Sequence, residues 1–247
     1  MSGGDRRSDP SWELPEAGDD DTTLAWDLPT RLFKWTLVAL VVTAWVSSGF
    51  DDPEMKVHKV AGYGILVLLV FRLIWGFVGG STARLASFVK GPRAIAAHMR
   101  ALKAGRAGTY LGHNPAGGFV ILMILAACSV QVGLGLMASD GVMAAGPFAD
   151  RVGDGWASLA GTLHGYWFYA LLSLAIVHIL ANLYYEFIRG ERLVTAMVTG
   201  RKARAAFVDA LYLVRAPASL AFWALVLSVA IVFGLIALSG GGLATPS

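Results

Sequence analysis

Apolar residues along this 247-residue chain gather into five runs, with the polar residues collected between them. The runs are roughly Leu32–Gly49, Val60–Val78, Gly118–Met137, His164–Phe187 and Ala218–Ser239. Each approaches the ~20 residues a helix needs to cross ~30 Å of hydrocarbon. Helix is the only choice for such runs, since an open sheet edge facing lipid leaves backbone groups unpaired. Trp35, Trp45, Trp75, Trp167, Tyr184 and Tyr185 fall near the run ends, where aromatic side chains anchor at the headgroups. Between the second and third runs the rhythm changes. Over Pro92–Lys103, Ile95, Met99 and Leu102 share one side while Arg93, Arg100 and Lys103 lie elsewhere. That pattern predicts a short amphipathic helix in the interface plane, ended by Gly105, Gly108, Gly112 and Pro115. The segment before the first run, with Pro10, Pro15, Gly18 and Asp19 to Asp21, reads as a disordered tail without a signal peptide's basic-then-apolar order. The chain thus divides into a tail (1–28), a four-span core (29–204) and a C-terminal segment (205–247) holding the fifth span.

Composition agrees with a membrane protein: 56% of residues are hydrophobic, 15% are charged and the mean hydropathy is +0.60. The expected class is an all-α integral membrane protein, a four-helix transmembrane bundle plus one extra C-terminal transmembrane helix. Charge then orients it. Arg72, Arg84, Lys90, Arg93, Arg100, Lys103 and Arg106 lie at the end of run two and after it, and Arg189, Arg192, Arg201, Lys202, Arg204 and Arg215 follow run four. The opposite loops hold only Lys56, Lys59 and Arg151. Positive-inside bias places the N-terminus in the cytoplasm and the C-terminus in the periplasm of a multi-pass inner-membrane protein. The basic clusters meet anionic lipid headgroups rather than nucleic acid. The Gly- and Asp-rich outer loop Ala138–Gly161 suits contact with a soluble partner. A single cysteine, Cys128, excludes an internal disulfide and a cysteine-ligated cluster, and its place inside run three reads as packing.

Histidine carries the chemistry. His164 and His178 lie fourteen positions apart in one run, on nearly the same helix face and about 21 Å apart along the axis. One imidazole then lies near each membrane surface. Polar, metal-binding side chains at that depth are costly and mark function, and haem iron is the natural ligand. His58, before run two on the outer side, faces His164 at the same level. Two imidazoles filling both axial positions of one haem leave no open site, so that iron moves electrons. Gly62, one turn below His58, and Gly165, beside His164, let a flat macrocycle approach the backbone. His178 lies deep in an apolar run and needs a partner on the inner side. Run one offers no histidine there. It has Lys34, which as a neutral amine can bind iron or else extends to the inner headgroups. His113, just before run three, is the other candidate; His98 on the amphipathic helix reads as solvated. Arg72 is either a bidentate ligand for a haem propionate or an interfacial anchor.

Six stretches, in order, then resemble one family: Asp27–Trp35 (Asp-Leu-Pro-Thr-Arg-Leu-Phe-Lys-Trp), His58–Tyr63 (His-Lys-Val-Ala-Gly-Tyr), Phe71–Gly76 (Phe-Arg-Leu-Ile-Trp-Gly), Gly112–Gly117 (Gly-His-Asn-Pro-Ala-Gly), the His164/His178 pair, and Met197–Lys202 (Met-Val-Thr-Gly-Arg-Lys). The chain resembles the bacterial cytochrome b561 family, which includes the cytochrome b subunits of nickel–iron hydrogenases. The resemblance covers about Asp27 to Lys202. It implies a four-helix core holding two b haems, the outer on His58 and His164, the inner on His178 and a histidine of span one. Here Lys34 stands in that last position, where the family commonly reads Arg-Leu-Phe-His-Trp. Three outcomes follow: a His178/Lys34 inner haem, which is favoured because the surrounding motif is intact; a ligand from elsewhere such as His113; or a single haem. The expected function is electron transfer between the quinone pool and a periplasmic redox partner, either a c-type cytochrome or a dehydrogenase or hydrogenase subunit, with a homodimer possible. The rivals are a stand-alone superoxide:quinone oxidoreductase and a haem-containing membrane anchor.

Overall fold

The computed structural model describes residues 22–50, 52, 55–203, 207–209 and 215–239. Its helices in chain order are α1 (Leu28–Ser47), α2 (Lys56–Val78), α3 (Leu85–Phe88), α4 (Pro92–Lys103), α5 (Pro115–Met137), α6 (Ala149–Val152), α7 (Asp154–Leu183), α8 (Leu193–Thr199) and α9 (Ala218–Leu238). A π-helical turn, Tyr184–Ile188, continues α7. Local chemistry starts the long helices where they start. Asp27 caps α1 by accepting the Thr30 N–H at 2.8 Å, and Pro29 fits its first turn, where no amide donor is needed. Asn114 caps α5 in the same way from the Gly117 N–H at 2.7 Å, with Pro115 as its first residue.

Four helices are long and apolar enough to cross a membrane: α2, α5, α7 with its π turn, and α9. The first helix, the remaining expected span, has 20 residues and so covers about 30 Å. Thr30, Arg31 and Lys34 in its opening turns make it less apolar than those four. Helices α1, α2, α5 and α7 share one core, in which Ile65, Leu69, Ala127, Cys128, Val132 and Leu171 are buried and Leu37, Leu40 and Val41 pack against them. Cys128 is a packing residue there. α9 lies outside this core against α2, through Val67, Val232 and Ile236, with Ala224 joining Phe33, Phe71 and Trp75 near the start of α9. The guanidinium of Arg151 closes α9. It donates to the Ser239 carbonyl at 2.9 Å and the Leu238 carbonyl at 2.8 Å, a cation at the negative end of the helix dipole.

Three expectations need correction. The tail was drawn through residue 28, yet Thr22–Leu24 forms strand β1, paired antiparallel with β2 (Arg201–Ala203) in the register Thr23 to Lys202. The Ala25 and Trp26 amides then both donate to the Gly200 carbonyl, a long-range pairing that tail composition does not betray. The remainder of the expected tail, 1–21, and the boundary at 204/205 lie outside the described residues. The fourth span's helix begins at Asp154, ten residues before His164, because Gly153 at φ +80° marks the turn and the polar residues beyond it still suit a helix. The amphipathic helix spans Pro92–Lys103 as its pattern predicts. His98, however, is buried and lies 3.3 Å from the Tyr185 hydroxyl, tying α4 to the end of α7.

Gly118 is a close-approach point: a Cβ there meets the Phe88 carbonyl oxygen at 2.5 Å, so α5 sits directly against the end of α3. A Cβ at Gly234 in α9 meets nothing within 4 Å. Gly118→Val is expected to cost about 1–3 kcal/mol through overpacking and to lower the melting temperature in detergent, while Gly234→Ala does not. An undiminished melting temperature in Gly118→Val removes this contact as a constraint on the fold.

Candidate functional site

The imidazoles of His58 on α2 and His164 on α7 meet with ring centroids 5.9 Å apart and planes at 77°. Each ring is oriented by the backbone of a neighbouring helix. His58 Nδ1 lies 2.8 Å from the Ala44 carbonyl oxygen on α1, and His164 Nδ1 lies 2.8 Å from the Gln131 carbonyl oxygen on α5. A carbonyl oxygen only accepts, so Nδ1 carries the proton in both rings and Nε2 presents its lone pair. Metal-ligating histidines are typically held in this way by a second contact through the other nitrogen. Trp167, one turn further along α7, donates its indole N–H to the Ala127 carbonyl at 2.9 Å and extends the α5–α7 seam. Gly135 makes room for the His164 ring, because a Cβ there would lie 2.9 Å from Cε1.

Beside the two rings opens a cavity of about 790 Å³, lined by both histidines, Gly62, Gly165, Gln131 and Phe168 among others. A Cβ at Gly62 or Gly165 meets nothing within 4 Å, so both glycines face open space. Among the described residues no three His, Cys, Asp or Glu side chains converge on one point. The pair offers two imidazoles, and a porphyrin iron takes one or two ligands from protein. Two metal–imidazole bonds of about 2 Å each, with the ring radii added, put the centroids roughly 6 Å apart. The observed spacing fits that demand.

The end around His178 is built differently. His178 lies on α7, its Nε2 3.1 Å from the side-chain nitrogen of Asn182. Lys34 Nζ is 3.1 Å from Met197 Sδ and 3.8 Å from the centroid of the Trp26 ring. Its neighbours Arg31 and Trp35 donate to the Val198 and Met197 carbonyls, so α8 is docked on the start of α1. Lys34 is thus engaged with α8 and Trp26, and His178 with Asn182; no hydrogen bond joins them. His113 is buried between the rings of Trp26, at 4.7 Å, and Phe88, at 5.0 Å. Burial first, then the charges of Lys34, Arg72 and Lys202 and finally His178, holds the His113 imidazole well below its ordinary pKa, so it stays neutral. Arg72 is 4% exposed and stacks over Phe88 at 5.5 Å. Arg72 Nη1 and His113 Nδ1 are both buried with no hydrogen-bond partner. An arginine buried with an unsatisfied N–H is suited to an anionic group.

Hydropathy passes over two further residues. Gln131 and Asn182 place their amides against His164 and His178. The available signal was scarcity: the chain has one Gln and two Asn, and two of these three lie inside apolar runs.

A family model described as prokaryotic cytochrome b561 matches residues 25–200. With four apolar helices, that match indicates a membrane b-type cytochrome of electron transfer, for which haem b is the implied cofactor. The chain belongs to the prokaryotic cytochrome b561 family. No curated protein and no solved structure matches it.

If the cavity is the macrocycle's seat, filling it abolishes binding without harming the fold. Gly62→Leu is expected to keep wild-type helix content by circular dichroism and to lose haem from the His58–His164 site. Full haem content in that variant would place the macrocycle elsewhere.

Proposed function

We propose that this chain is a di-haem b-type cytochrome that carries electrons across the bacterial inner membrane. It links the quinone pool to a redox protein at the periplasmic face, either a c-type cytochrome or a dehydrogenase-type subunit. The observation that carries the reading is the His58–His164 pair, two imidazoles from neighbouring helices with Nδ1 on a carbonyl and an open cavity at their side. In this reading His58 and His164 hold the outer haem, and His178 holds the inner one. Lys34 supplies the inner haem's second ligand, exchanging its Met197 contact for iron, and Arg72 pairs with a propionate through its free Nη1. His113, buried, neutral and unpartnered at Nδ1, is the alternative to Lys34.

Bound haem supplies reversible one-electron chemistry at iron. The chain's part would be to hold the iron with His58 and His164, and to keep water away with the apolar core of α1, α2, α5 and α7. Five spans, with α1 and α9 both crossing, put the N-terminus in the cytoplasm beside the basic loops and the C-terminus outside. α9, without an ionisable residue, packs on α2 away from the histidines and leaves the electron path to the other four helices.

Pyridine haemochrome assay of purified protein should give two haems per wild-type chain, and one in each of His164→Ala and Lys34→Ala. Two haems retained in Lys34→Ala, with one in His113→Ala, would transfer the ligand role to His113. One haem in wild type and Lys34→Ala alike would rule out the lysine-ligated site.

A further inference from the structure

The two histidines of α7 share an arrangement that iron ligation by itself does not call for. The Gln131 side-chain nitrogen lies 3.2 Å from His164 Nε2 and 3.1 Å from the His164 carbonyl oxygen. The Asn182 side-chain nitrogen lies 3.1 Å from His178 Nε2 and 2.7 Å from the His178 carbonyl oxygen. Because a carbonyl oxygen only accepts, the nitrogen end of each amide must face its histidine. The N–H therefore donates, and Nε2 is the acceptor in both contacts. At His164 the opposite nitrogen leads to the same tautomer, since Nδ1 donates to the Gln131 carbonyl at 2.8 Å. Gln131 thus holds the ring at both nitrogens, one through its backbone and one through its side chain. An amide inside a span is costly unless it is paired, and Gln131 Oε1 is buried without a partner. What the side chain gains is its grip on His164.

We propose that the Gln131 and Asn182 amides hold the Nε2 lone pairs of His164 and His178 in N–H···N hydrogen bonds that haem iron has to displace, and that they thereby limit the affinity of each site. This rests on the haem reading above. The amide N–H and iron compete for one lone pair, so capturing haem breaks one N–H···N hydrogen bond per site. Deleting the donor removes the competitor. The net worth of one hydrogen bond then translates into about two- to tenfold tighter haem binding. Reversing the polarity acts the other way: a carboxylate at position 131 only accepts, favours a proton on Nε2 and weakens binding.

Hemin titration of the full-length chain, produced haem-depleted and followed by Soret absorbance, compares wild type with Gln131→Leu, Gln131→Glu and Asn182→Leu. Circular dichroism checks helix content, and Gln131→Met and Asn182→Ala replace any Leu variant that loses it. Each donor-less variant is expected to bind two- to tenfold tighter at its own site, and Gln131→Glu more weakly than wild type. In a His164→Ala background, Gln131→Leu should leave inner-site affinity unchanged. Donor-less variants of native helix content that bind equally or more weakly would overturn the proposal while the haem reading stands. Wild-type protein that takes up no hemin would overturn both.

Discussion

An imidazole in hydrocarbon has two nitrogens to satisfy and no water to satisfy them with. This constraint organises the half of the protein around His58 and His164. His58 turns Nδ1 onto Ala44 of α1, and His164 turns Nδ1 onto Gln131 of α5. Each histidine therefore borrows an acceptor from the helix next door, and the bond that orients the ring also ties two spans together. With Nδ1 committed, the tautomer is settled, and Nε2 is left as the one atom able to bind a metal. Packing follows from the same need. Gly135 must lack a side chain because the His164 ring occupies that space, and Gly62 and Gly165 leave the cavity open beside it.

The opposite end, around His113 and His178, answers the same constraint with charge in place of backbone carbonyls. Lys34, Arg72 and Lys202 gather around His113, between the rings of Trp26 and Phe88. Lys202 donates to the Tyr110 carbonyl at 2.8 Å, and Lys34 rests on Met197 and Trp26, yet Arg72 keeps an N–H without an acceptor. A cationic cluster inside apolar packing is stable only with anionic compensation, and Asp27 provides one carboxylate near it. The strand pair β1–β2 and helix α8 close this end, bringing Trp26 and Met197 over the start of α1. Lys34 thus adds its charge to those of Arg72 and Lys202 around His113.

Much of this was legible in the chain. Runs of apolar residues marked every long helix, since twenty such residues in sequence have few soluble alternatives. The amphipathic helix declared itself through Ile95, Met99 and Leu102, and caps such as Asp27 and Asn114 declared themselves through side-chain chemistry. His164 and His178 stood out because helical period depends on local geometry alone. What remained hidden depended on distant residues. Nothing near Thr22 announces that it pairs with Ala203, nothing in α4 announces that His98 meets Tyr185, and nothing in run three announces that Gln131 reaches His164.

The sequence by itself therefore determined the membrane-spanning class, the helices and the residue types able to bind iron, because hydropathy, capping and periodicity are read within one segment. The tertiary structure alone decided which carbonyl orients each histidine, where the cavity opens, and that Arg72 and His113 are buried together without acceptors. Those outcomes depend on how helices cross, and a crossing is set by side chains from two or three segments at once.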